Sequence, residues 1–269
     1  MQDLWFLGGL VAGASWLVSR TVVRRTQQVT AADASGLSPV ADLTHISPLL
    51  QKTALWCLAD GGFERRVVHG VLPRGTHDID VTAFDLETLR ERRGEWAWLP
   101  VEPPFRIGPV VSVVACEMDR DFPHALFKHA GGGDDLVDDD HLERLGSLSK
   151  TVRDGFGMAR LYPAELPALP TTPLALALPE GWRGYCHAPE RIVDLVTGGL
   201  AAVLARAARR DLVIELLGPL VVVYPAARDV VGSDAFADLT QTALVLVDGL
   251  LAASLPLTPR GVADQRPQV

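Results

Sequence analysis

Few residues in this chain have types and spacing that could do chemistry. Asp78 and Asp80 flank Ile79 in an alternating run, which puts both carboxylates on one face of a strand, about 6–7 Å apart at the usual strand rise. Paired carboxylates at that spacing can carry general acid–base work, and an enzyme reading would need a deep pocket with converging polar groups such as Asp78, Asp80 or His69. The simpler reading is two charges on the wet face of an edge hairpin. His77 with Asp78 and Asp80, and His141 with Asp138, Asp139 and Asp140, have ligand chemistry for a divalent cation. Neither has the HExxH spacing, nor the glycine and closing glutamate of a calcium loop. Ser147-Leu148-Ser149-Lys150 matches SxxK, in which a lysine activates a serine one helical turn earlier, but its companion SDN and KTG elements are absent. Gly131-Gly132-Gly133 lacks the preceding strand and the following Lys-Ser/Thr of a phosphate loop, and no GxSxG or GxGxxG is present. The sequence therefore assigns no catalytic, cofactor-binding or metal-ligating residue.

Composition narrows the function classes further. The chain has 269 residues, is 48% apolar and carries a formal net charge of −8, which argues against wholesale disorder and against a nucleic-acid footprint. Arg90, Arg92 and Arg93 read as solvated loop charges. Cys57, Cys116 and Cys186 are odd in number and widely spaced, which suits buried thiols in a reducing compartment better than a disulfide framework or a CxxC metal site.

The elements that must position these residues begin with residues 4–23 (LWFLGGLVAGASWLVSRTVV), uncharged until Arg20. About 20 helical residues cross a bilayer core, and an arginine near one end reaches the interface by snorkelling. The start Met1-Gln2-Asp3 is not the positive leader of a cleaved signal, so a retained anchor is expected. Arg20, Arg24 and Arg25 all follow the run, which predicts the N-terminus outside and the body in the cytoplasm. Gly9 and Gly13 form one GxxxG, a close-approach surface for a homodimer of membrane helices. Residues 26–47 are small and polar and read as a linker with little prospect of a core.

Beyond the linker, residues 48–62 (PLLQKTALWCLADGG) suggest a short helix closed by Gly61-Gly62. Residues 63–72 and 77–86 then read as an antiparallel hairpin with one wet face, turning at Pro73-Arg74-Gly75-Thr76. Residues 96–105 read as an extended edge, and residues 110–116 (VVSVVAC) as a central strand. An unusual acidic region follows from Asp119 and includes Gly131–Asp140, read as a loop. Proline-spaced residues 161–179 run extended. Near the C-terminus, residues 189–209 place Ile192, Leu195, Val196, Gly199, Leu200, Val203 and Ala207 on one helical face. Residues 211–217 and 220–224 read as two strands joined at Gly218-Pro219. Ser233 then caps a long apolar helix to about residue 253, which Asp238, Gln241 and Asp248 mark as a packed helix rather than a second membrane span.

Three stretches together resemble an uncharacterised family of membrane-anchored proteins from high-GC, actinobacterial-type bacteria, classed as a domain of unknown function. They are Gly75-Thr76 with VTAFDL at 81–86, WRGYCHAPERIVDLV at 182–196, and LVIELLGPLVVVYP at 212–225. The resemblance spans roughly residues 62–251, and the acidic insertion at 131–140 departs from it. It implies one N-terminal anchor and no assigned activity, so no functional position is carried over.

The expected architecture is α+β. It comprises an anchor at 1–25, a linker at 26–47, an antiparallel β-rich half at 48–130, an acidic and proline-rich loop region at 131–180, a two-layer α-β-β-α half at 181–254 with a helix-hairpin-helix order, and a disordered tail at 255–269. The expected function is an interaction or envelope-assembly module without catalysis. It would be held at the cell membrane by residues 4–23 with a cytoplasmic domain, an unidentified protein partner and no nucleic acid. A membrane-associated hydrolase is the alternative, and a domain secreted after signal cleavage is a third reading.

Overall fold

The computed structural model describes residues 36–40, 47–58, 62–88, 110–129, 172–175, 178–186, 189–207, 212–226 and 233–252. Its centre is one strand, β4 (Val110–His129), far longer than the run VVSVVAC that announces it. β-Branched residues suit a sheet interior, and here the strand continues through Asp119, Arg120 and Asp121 to bury Phe122, Ala125, Leu126 and Phe127. The strand therefore runs on from Cys116 to His129. The acidic stretch 131–140 lies outside the described residues.

Around β4 the sheet is antiparallel. β2 (Gly62–Arg74) and β3 (His77–Thr88) form the expected hairpin, with Gly75 at its turn in the left-handed region (φ +63°). β3 pairs with the first part of β4, β6 (Trp182–Cys186) pairs with its last part, and β7 (Leu212–Pro225) lies along the opposite edge. Strands from 48–130 and from 181–254 thus meet in one sheet. Two short strands complete it: β1 (Ser38–Pro39) beside β2, and β5 (Thr172–Pro173) beside β6.

β1 corrects the linker expectation, because Leu37 next to it is buried in the core. Gly70 makes room for it: a Cβ there would stand 2.9 Å from the Gly36 carbonyl oxygen. β5 draws on the proline-spaced region, and its proline sits on an edge strand, where a missing N–H is tolerated.

β7 overturns the second expected hairpin. Gly218 (φ +54°) and Pro219 read as a turn in sequence, but the chain bends there and continues as one strand. β4 absorbs the bend. Between the pairs Glu117↔Leu220 and Phe122↔Gly218, β4 advances five residues (122 − 117) against two on β7 (220 − 218). Such bulges bend a strand, and they leave Pro219 at a position that needs no ladder donor. The C-terminal order is therefore helix, strand, helix.

Three layers result, where two were expected. One sheet face buries Ile79, Val81, Ala83, Val114, Cys116 and Phe127 against the C-terminal helices. These are α3 (Pro189–Leu195), a single π-turn (Val196–Leu200), α4 (Ala201–Arg206) and α5 (Ser233–Ala252). Ile192, Leu195, Val196, Leu200 and Val203 are buried, as the helical period requires, while Gly199 (φ +137°) kinks the helix. Gly249 lets α5 close on α4, since a Cβ there would lie 2.6 Å from Val203 Cγ2.

The second face carries Phe84, Leu86, Val113, Leu126, Val222 and Tyr224 under α1 (Ser47–Leu50) and α2 (Ala54–Leu58). The single helix expected over 48–62 divides at Thr53. Its hydroxyl donates to the Leu50 carbonyl (2.6 Å) and accepts from the Trp56 N–H (3.3 Å), closing one helix while capping the next. The expected wet face of the β2–β3 hairpin holds only towards its turn, where Val71 and Asp78 are exposed; Thr82, Phe84 and Leu86 on the same side are buried.

No helix among the described residues is long and apolar enough to cross a membrane. Residues 4–23, with Gly9 and Gly13, lie outside them, as do 96–105, most of 26–47 and the tail 255–269.

Candidate functional site

The carboxylate pair singled out by sequence does share a strand face, but its members part company in their surroundings. Asp78 and His77 are exposed. Asp80 is half-buried, with Oδ1 3.1 Å from His69 Nδ1, and that nitrogen also lies 3.0 Å from Thr82 Oγ1. The His69 imidazole thus joins two neighbouring strands through a cross-strand polar contact. His141, Asp134, Asp138, Asp139, Asp140, Ser147 and Lys150 lie outside the described residues, as do Arg90, Arg92 and Arg93. Among the described residues no group of three or more His, Cys, Asp or Glu side chains is placed to hold a metal ion.

Two polar clusters that the motif search passed over lie inside the protein. The first sits beneath α1 and α2. Glu215, midway along the apolar β7 and fully buried, aims its carboxylate at the start of α2. Oε1 accepts from the Ala54 N–H at 2.5 Å and Oε2 from the Leu55 N–H at 3.3 Å, while His124 Nε2 stands 2.7 Å from Oε1. A helix leaves its first N–H groups without intrahelical partners, and here a sheet residue supplies the acceptors. Tyr224 belongs to the same cluster. Burial, with the Glu215 charge beside it, holds its phenol well above the ordinary value, so it stays protonated. Its hydroxyl and His124 Nδ1 are both buried without a hydrogen-bond partner among the described residues.

The second cluster lies at the other end of the sheet on the opposite face. Asp85 is buried, accepts from Ser112 Oγ at 2.8 Å and pairs with the Arg66 guanidinium. Arg66 has a left-handed backbone (φ +54°) at the irregularity between Arg65 and Val68 in the β2–β3 ladder. That conformation is costly for a residue with a Cβ, and it turns the side chain onto the carboxylate.

One sequence signal bears on both clusters: an acid set in an apolar run, Glu215 as the one acid of β7 and Asp85 within VTAFDL. Such an acid must be paired or hydrogen-bonded if it is buried. The strands have a solved counterpart. The crystal structure of the mycobacterial trehalose monomycolate transport factor A, TtfA, matches with a TM-score of 0.50 at 12% sequence identity, covering 88% of this chain and 98% of that chain. At that identity the likeness speaks for the fold. No family model and no curated protein matches the sequence.

Chemically, both clusters are suited to holding elements together. The carboxylate of Glu215 is occupied by two backbone donors and an imidazole, and that of Asp85 by a guanidinium and a hydroxyl. Cys116 and Cys186 are free and buried. Burial pushes the Cys116 thiol up to about 12, against the pull of Arg74, and burial with the nearby Glu190 pushes Cys186 up to about 11. Neither is a nucleophile at neutral pH, because the thiolate is the reactive form. The side chain of Cys57 is outside the described set.

Proposed function

We propose that this chain is a non-catalytic component of the cell envelope machinery. Residues 4–23 anchor it in the membrane, and a cytoplasmic α+β domain docks a protein partner. The observation that carries the proposal is the inward commitment of the reactive groups. Glu215, His124, Asp85, Ser112 and both described cysteines are buried, and the two acids spend their acceptor capacity on the protein's own donors. A catalytic site needs convergent polar groups that a substrate can reach. The fold likeness to a protein named for trehalose monomycolate transport favours an envelope setting over other homes for an interaction domain. The resemblance to the high-GC family, the cytoplasmic orientation and dimerisation through Gly9 and Gly13 belong to the same proposal.

Protease protection on isolated membranes, with a tag after Val269, tests the topology, and crosslinking with mass spectrometry of co-purifying proteins tests the docking role. A body cut from the cytoplasmic side and crosslinked reproducibly to one envelope protein is the expected outcome. A chain recovered free of membranes would defeat the anchored reading, and a body protected on the far side of the membrane would defeat the cytoplasmic orientation. Crosslinks no richer than those of an unrelated anchored protein would defeat the docking role.

A further inference from the structure

We infer that α1–α2 is a strap that opens as a unit from the second face of the sheet, with Glu215 as its latch. The strap cannot keep its structure once detached. Ser47–Leu50 and Ala54–Leu58 are far shorter than a helix that is stable in water without packing partners. Its fully buried apolar contacts are Leu50, Ala54 and Leu55, and its polar hold on the sheet includes the pair of N–H groups given to the Glu215 carboxylate.

Opening is helped by what lies underneath. A buried carboxylate is costly to keep from water even when well paired. Beside it are buried a phenol hydroxyl and an imidazole nitrogen that have no hydrogen-bond partner among the described residues. All three are buried together and gain water together when the strap lifts. A purely apolar contact of the same extent would have no such compensation. Two arrangements follow: strap down, with Glu215 capping α2, and strap up, with Glu215 hydrated and the sheet residues that pack against Leu50, Ala54 and Leu55 losing that contact.

Amide hydrogen exchange on the full chain, read by peptide mass spectrometry, tests it. In the wild type, amides of residues 54–58 should exchange at least roughly tenfold faster than those of β4 and β7, because local opening precedes global unfolding. Two variants should move this rate in opposite directions. Glu215→Gln keeps the shape but turns an amide NH2 towards donors, and should speed exchange at 54–58 by roughly tenfold while β4 and β7 change less. Tyr224→Phe removes the unpartnered hydroxyl, lowers the gain on opening and should slow exchange at 54–58 several-fold. Exchange of 54–58 at the same rate as β4 and β7 in the wild type would overturn the strap, and that measurement decides even if Glu215→Gln does not fold. Variants that leave the ratio between 54–58 and β4 unchanged would remove Glu215 as the latch.

Discussion

Removing Arg66 should cost more than most single substitutions in this protein, and how the loss divides between charge and backbone can be read from a pair of variants. The Asp85 side chain is 2% exposed and the Arg66 side chain 17% exposed. Arg66→Ala leaves a buried carboxylate with Ser112 as its described remaining donor, and breaking a buried ion pair on one side costs about 3–5 kcal/mol. Arg66→Gly loses the same pair but accepts the left-handed backbone (φ +54°) without the Cβ clash, which is worth about 1–2 kcal/mol. Glycine's greater unfolded-state freedom takes back about half to one kcal/mol of that. Arg66→Gly should therefore be more stable than Arg66→Ala by about 1 kcal/mol, although both are well below the wild type. The double replacement Arg66→Met with Asp85→Leu removes both charges and should recover most of the loss. Urea denaturation of each variant, followed by far-UV circular dichroism with slopes compared, gives the differences. Equal stabilities for the alanine and glycine variants would refute the backbone part. A double variant no better than Arg66→Ala would refute the charge part.

Other consequences are open to direct measurement. With thiols raised to about 12 and about 11, Cys116 and Cys186 should resist iodoacetamide at pH 8 in the native protein and react fully in urea, as located by peptide mass spectrometry; rapid native labelling would contradict their burial. Cys116 titrates from 9.0 in the unfolded chain to about 12 when folded, so above pH 9 the unfolded state holds fewer protons and stability falls, by about 1.4 kcal/mol per pH unit for this group until pH approaches 12. Tyr224, raised above 10.0, adds to the fall beyond pH 10, and urea midpoints at pH 7, 9 and 10.5 should show a shallower decline in Tyr224→Phe. Gly249→Ala places a methyl 2.6 Å from Val203 Cγ2 and should destabilise by about 1–3 kcal/mol, with Val203→Ala restoring part of it; additivity in the double variant would mean the α4–α5 approach does not set the cost.

How much was legible in the sequence depended on how far each signal was local. The β2–β3 hairpin is legible because alternation at Ile79, Val81 and Ala83 and the glycine turn at Gly75 are local properties. The helix beginning at Pro189 was legible for the same reason, and its π-turn was not, since Gly199 fits a helical face as well as it fits a kink. Gly218-Pro219 misled because the partner decides between turn and bend. The residues of β4 that absorb the bend, 118–121, lie about a hundred positions away in sequence and, as Met-Asp-Arg-Asp, carry no β-branched run of their own. β1 was hidden because a two-residue strand has no period, and Leu37 is core only because Gly70 has no side chain.

The polar clusters were missed for a different reason. Motif searching looks for reactive residues close together in sequence, whereas Glu215 and His124 are 91 positions apart and Asp85 and Ser112 are 27 apart. What sequence does hold is the anomaly of an acid set in an apolar run, and elementary solvation makes that anomaly informative: a buried acid must meet donors, and in a strand those donors come from whatever lies across the sheet or on top of it. For Asp85 the donors come from neighbouring strands, which fixes register on one face. For Glu215 they come partly from the backbone of a separate, short element, which fixes a cover on the other. The same residue type in the same setting therefore does two jobs. The donor's identity separates them, because strands that share a ladder cannot leave without unfolding the sheet, and a five-residue helix can.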